Sequence, residues 1–173
     1  VPAKPSGAKR VLHLLSFAIT SLHVALWQVL WRPDVVVCVA PALVNAPAAH
    51  AVARLSGARA WLHIQDFEVD VAFNMGLLKG ARQRRVVTWL EQRLLRRFDV
   101  VSSISERMVE GLRLKGVHED RIRHFPNWVD IGHIQTLSRP STYRAELGIA
   151  PDTQVVLFSG TLGGKQGLSV IPQ

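Results

Sequence analysis

Val35-Val36-Val37-Cys38-Val39-Ala40 is apolar at every position and carries four β-branched side chains. A half-wet strand would alternate with polar residues, so an uninterrupted run suits a strand covered on both faces, as in a parallel sheet. Parallel strands cannot be joined by a tight turn, and each needs a crossover long enough for a helix. The residues downstream meet that demand repeatedly. Residues 44–55 are alanine-rich and helical, ending at Ser56-Gly57, and residues 59–65 make a second strand candidate. Residues 66–79 are mixed, with short helical character and a break at Gly80; residues 82–97 form a basic helix and 100–104 a third strand. Residues 106–115 read as a helix stopped by Gly116, and 121–125 as a short fourth strand running into Pro126-Asn127-Trp128. The alternation predicts an α/β chain with a doubly wound, Rossmann-like parallel sheet.

Past that sheet the pattern changes. Residues 131–151 form a connector with a turn at Arg139-Pro140-Ser141 and a short helix over 143–147. Residues 155–158 then start a new strand that breaks into Ser159-Gly160-Thr161-Leu162-Gly163-Gly164-Lys165-Gln166-Gly167-Leu168. The expected organisation is a first Rossmann-like domain over 1–131, a connector over 132–153, and the first strand and loop of a second such domain over 154–173. The chain starts at Val1 and stops six residues after Gly167, so it reads as a piece of a longer protein.

At 173 residues, 48% hydrophobic and 20% charged, the chain can bury a core and is not disordered in composition. Cys38 is the one cysteine and sits inside an apolar run, which marks a small buried hydrophobe. It cannot form an internal disulfide, in keeping with a reducing compartment. Residues 11–31 have no charge and approach the length of a bilayer span, roughly 20 residues. His13, Ser16, Thr20 and His23 recur at helical spacing, however, and predict an amphipathic helix, packed or lying at an interface.

The net charge of +8 is unevenly spread: residues 82–97 hold six arginines and one acid, Glu91, and so five of the eight net charges. Val86, Val87, Leu90, Leu94 and Phe98 fall on one face of that helix. Arg82, Arg85, Arg93 and Arg96 fall on another, with Trp89 among them. Tryptophan among cations suits a phospholipid headgroup region, and these five residues are the expected membrane contact. No nucleic-acid motif accompanies the charge, so nucleic acid is not expected as a partner.

Two strand ends carry further chemistry. His63-Ile64-Gln65-Asp66 closes the second strand, where ligands of open α/β sheets bind. An imidazole and a carboxylate there suit the orientation of hydroxyl groups, while Glu68 and Asp70 read as solvated loop charges. Pro126-Asn127-Trp128-Val129-Asp130 closes the fourth strand, with a two-way hydrogen-bonding amide and a carboxylate able to cap or hinge. In the terminal loop, Gly160, Gly163, Gly164 and Gly167 permit close backbone approach to an anion, and Lys165 adds a point charge. The loop is not a Walker A motif, because Ser159 and Gln166 stand at two of its defining positions. The remaining histidines are scattered, so neither a metal site nor a cofactor is expected.

In this order, His63-Ile64-Gln65-Asp66-Phe67, Ser103-Ile104-Ser105-Glu106-Arg107-Met108, Pro126-Asn127-Trp128-Val129-Asp130 and Ser159-Gly160 through Leu168 resemble bacterial family 4 glycosyltransferases of the GT-B fold. The likeness covers most of the chain and is closest to the branch that makes exopolysaccharides such as colanic acid. The resemblance implies an acceptor-side domain and a nucleotide-sugar-binding domain facing a cleft. It implies sugar transfer with retention and without a metal, from a nucleotide-sugar donor to a lipid-linked saccharide acceptor. His63 and Asp66 would be the catalytic residues near the transferred sugar, and Gly160, Gly163, Gly164 and Lys165 the cradle of the leaving diphosphate. Ser105, Asn127 and Asp130 would line the cleft.

Thr161 and Leu162 stand where many relatives carry an arginine. The family's first strand should precede Val1 and its donor-gripping glutamates should follow Gln173, so the fragment is expected to be inactive alone. The expected location is cytoplasmic, peripheral at the inner face of the plasma membrane. Two other readings fit the same residues: a GT-B nucleotide-sugar epimerase, and a non-enzymatic basic membrane-binding module.

Overall fold

The computed structural model describes residues 7–41, 43–74, 76, 80–133 and 139–160, with side chains from residue 12 onward. Contacts divide the chain into two units, Val1–Asn127 and Trp128–Gln173.

The first unit is built on four parallel strands in sequence order: β1 (Val35–Ala40), β2 (Arg59–Ile64), β3 (Val100–Ser103) and β4 (Ile122–His124). Register places Val39 beside His63, His63 beside Ser102, and Ser102 beside Arg123. Helix α1 (Gly7–Trp27) leads through a single 3-10 turn to β1. Between the strands run α2 (Ala46–Ser56), the pair α3 (Glu68–Asn74) and α4 (Ala81–Leu95), and α5 (Glu106–Leu114). Gly57 ends α2 at φ +77°, a left-handed conformation that a side chain would strain. Asp99 clamps the entry to β3: its Oδ2 accepts from Ala60 N at 2.8 Å while its own N–H donates to Ala60 O at 2.9 Å.

One face of the sheet makes the core. Cys38, Leu62, Ile64, Val101 and Ile122 pack against Ala53, Leu95, Phe98, Val109 and Leu112 from the helices. Leu62, Phe98 and Leu112 have no exposed surface, and burying each such side chain contributes about 2–3 kcal/mol. Burial also pushes the Cys38 thiol pKa up, so the thiol stays neutral. The opposite face is uncovered at β1, where Val35, Val37 and Val39 are about half exposed.

The structure corrects the reading of three elements. Helix α4 keeps only part of the expected apolar face inside: Phe98, just past its end, is buried and Val87 and Leu94 are half-buried, but Val86 and Leu90 are exposed while Glu91 and Leu95 are buried. The cause is a charge pair inside the fold. Lys115 Nζ lies 2.7 Å from Glu91 and 2.9 Å from Asp70 and sits over the Phe67 ring. Glu68 and Asp70 are therefore not solvated loop charges. They open α3, and Glu68 Oε2 accepts from Leu43 N at 2.7 Å. Third, residues 155–158, expected as a strand, have no sheet pairing and are exposed. A strand needs a neighbour for its backbone groups, and none of the described residues supplies one there.

Helix α1 packs through a narrow stripe. Leu14, Ala18, Ser21, Ala25 and Val29 are half-buried, whereas Leu12, Phe17, Ile19, Leu22, Val24 and Leu26 are exposed. Its hydroxyls bond back to the helix: Ser16 Oγ donates to His13 O and Thr20 Oγ1 to Ser16 O, both at 2.9 Å. Those hydroxyl donors are thereby satisfied within the helix. Leu12–Trp31 is the one described segment long and apolar enough to cross a membrane.

In the second unit, α6 (Thr142–Glu146) is capped by Ser141. Arg144 ties it to the next segment through Ala150 O and Thr153 O, both at 3.0 Å.

Candidate functional site at the carboxyl ends of the strands

Because all four strands are parallel, their carboxyl ends share one rim. His63 lies at the end of β2 on the face opposite the core helices, and Trp61, two residues earlier, shares that face. Ser102 stands beside His63 on β3. Trp61 Nε1 donates to Ser102 Oγ at 2.7 Å, and His63 Nδ1 lies 2.8 Å from the same oxygen. Phe125, just past β4, packs edge-on against Trp61 at 5.6 Å and against His63 at 5.5 Å. These neighbours leave His63 only 7% exposed. Desolvation lowers its pKa, so the imidazole is neutral near pH 7.

Asp66 is half-buried in the loop that follows, and its carbonyl accepts from Glu68 N at 3.1 Å. The segment is held from both sides. Gln65 N donates to Ala40 O at 3.2 Å, and Ser103 Oγ donates to Ile64 O at 2.7 Å. Thus the end of β2, which carries His63, is tied to both neighbouring strands, and Asp66 follows two residues after it. Such an arrangement can fix the orientation of a polyhydroxylated ligand, with a neutral imidazole and a carboxylate as hydrogen-bonding groups.

The other sequence-derived residues separate. Ser105 sits on the same rim and caps α5, its Oγ accepting from Met108 N at 3.3 Å. Asn127 is exposed where the first unit ends. In the second unit, Asp130 closes its own turn, with Oδ1 accepting from Gly132 N at 2.9 Å. Gly160 is exposed, and Gly163, Gly164 and Lys165 lie outside the described residues.

On α4, Arg82, Arg85, Trp89, Arg93 and Arg96 are all exposed, so the structure keeps the expected basic face together. Arg93 stacks over Trp89 at 5.6 Å, and Arg96 Nη2 donates to Gln92 Oε1 at 3.3 Å. Beside this face an apolar groove of about 620 Å³ runs between α3 and α4, lined by Val44, Pro47, Val69, Val87 and Leu90, with Arg93 and Arg97 at its edge. A second, of about 470 Å³, follows the free edge of β1 and is lined by Phe17, Ala25 and Trp31. Neither groove includes His63 or Asp66. Among the described residues no three His, Cys, Asp or Glu side chains gather as metal ligands.

Trp61, Ser102 and Phe125 were not singled out by sequence reasoning. The Trp-x-His spacing was a usable signal, since period 2 puts both side chains on one face. The partnership with Ser102 depends on strand register across 39 residues, which one sequence does not display.

Comparison with known proteins agrees with this architecture. The glycosyl transferase 4-like domain family matches residues 1–128, which take in the whole sheet and its rim. The chain is 39% identical, over 97% of its length, to the Escherichia coli (strain K12) protein named as the colanic acid biosynthesis glycosyl transferase WcaI. It spans 42% of that relative's length. No solved structure matches it. The parallel sheet, the motifs at its carboxyl rim and the family match across them lead to one conclusion: the chain belongs to the glycosyl transferase 4-like domain family.

Proposed function

We propose that this chain is the acceptor-side part of a retaining glycosyltransferase that moves a sugar from a nucleotide-sugar donor to a lipid-linked saccharide in exopolysaccharide synthesis. The observation that carries the reading is the pairing of the family match over residues 1–128 with His63 at the end of β2 and Asp66 in the loop that follows it. In this reading the neutral His63 imidazole and the Asp66 carboxylate orient sugar hydroxyls. Gly160, Gly163, Gly164 and Lys165 receive the leaving diphosphate, where positive charge is worth most as the bond breaks. The exposed arginines of α4 and the apolar surface of α1 hold the protein at the inner face of the plasma membrane, beside its lipid substrate.

The test is a screen of GDP- and UDP-sugars with membrane extract as acceptor, using the protein at the full length of its relatives. Movement of label into a lipid-extractable product supports the proposal. Label recovered only as free or epimerised sugar favours the epimerase reading, and no turnover by a folded protein favours the binding module.

A further inference from the structure

Ser102 has no exposed surface, and among the described residues its Oγ has two hydrogen-bond partners, Trp61 Nε1 at 2.7 Å and His63 Nδ1 at 2.8 Å. The indole N–H can only donate, so it takes an acceptor position on Oγ. The hydroxyl hydrogen also needs an acceptor, because a buried donor left unmade is costly. The one acceptor offered to it is Nδ1. Were Nδ1 protonated instead, Oγ would receive two donors, and its own hydrogen would point at no acceptor among the described residues.

We propose that Trp61 and Ser102 are positioning residues, a one-way relay from Trp61 Nε1–H through Ser102 Oγ–H to His63 Nδ1 that fixes His63 as its Nε2–H tautomer. His63 then presents a hydrogen-bond donor at the strand rim and not a lone pair. Phe125 holds both rings edge-on and keeps the relay in line. The use of this donor rests on the sugar-transfer reading: it suits contact with an oxygen of the sugar or acceptor and does not suit proton abstraction by Nε2. The relay itself is independent of that reading.

Long-range proton–nitrogen correlation spectra of the nitrogen-15-labelled chain at neutral pH test it, with the His63 signals assigned by loss in His63→Gln. The wild type should show Nε2 protonated and Nδ1 bare. Ser102→Ala should move the tautomer ratio about fivefold toward Nδ1–H, the scale of one ordinary hydrogen bond. Ser102→Thr, which restores the hydroxyl, should recover the wild-type ratio. Trp61→Phe should shift the ratio in the same direction as Ser102→Ala by a smaller amount, because the indole N–H polarises the hydroxyl and strengthens its donation to Nδ1. A wild-type His63 protonated at Nδ1 overturns the relay. So does an unchanged ratio in folded Ser102→Ala, or in Trp61→Phe if the alanine variant does not fold. Because no sugar transfer is read, the relay and the sugar-transfer proposal can fail separately.

Discussion

Lys115 holds one ammonium group against two carboxylates while only 8% of the residue reaches solvent. Burial opposes its charge, but hydrogen bonds to Glu91 and Asp70 outweigh that and raise its pKa above the usual lysine value. The stability this contributes is fully present below the unfolded lysine pKa and is lost as pH rises through the folded one. Lys115→Met would leave Glu91 buried without a cation and should destabilise the fold by about 3 kcal/mol, read from urea unfolding. Its alkaline loss of stability should shrink in the same experiment. His63 behaves in the opposite sense. Its folded pKa is lowered by burial, so the unfolded chain binds the proton more readily. Stability should therefore be intact above the unfolded value, about 6.5, and fall as pH drops toward the folded value. His63→Gln should remove that acid-side component, and an unchanged pH profile in the variant would contradict the buried, neutral assignment.

Among the elements, the sheet was legible because β1 is an uninterrupted apolar run, β2 and β3 are short segments built around apolar residues, helix-length crossovers separate them, and Gly57 and Gly116 mark where helices stop. What was not legible came from partners far apart in sequence. Glu91 is the one acid in a basic helix, and its burial follows from Lys115, 24 residues on, which one sequence does not pair with it. Residues 155–158 have the composition of a strand, but composition cannot supply a pairing partner. At the rim, the sequence pattern places His63 and Asp66 at and just after a strand end, whereas Ser102 becomes visible only once β2 and β3 are in register. A close approach between elements gives a direct check. A Cβ on Gly111 of α5 would come within 2.7 Å of Phe67 Cε2, in the segment leading to α3. Gly111→Ala should cost about 1–3 kcal/mol by overpacking, measured by thermal unfolding. A neutral result would mean that the Phe67 ring turns aside freely.

For the whole molecule, two surfaces bear on where it works. Helix α1 exposes apolar side chains along most of its length and satisfies its hydroxyls internally, and α4 exposes arginines around Trp89. Together they predict flotation of the folded chain with vesicles of anionic phospholipid and weaker flotation with neutral ones. Replacing Arg82, Arg85, Arg93 and Arg96 by Gln should abolish the preference for anionic lipid while leaving unfolding unchanged, because all four are exposed. Equal flotation on both lipids by the wild type would remove α4 from the membrane account.

Whether the strand rim around His63 serves sugar transfer is decided by comparing His63→Ala with wild type in a transfer assay at the relatives' full length. The variant's kcat should fall by about a hundredfold, the scale for losing one well-placed hydrogen-bond donor, with its unfolding midpoint matched or corrected for. Transfer at the wild-type rate by a folded His63→Ala protein would contradict that expectation and move the site away from this rim.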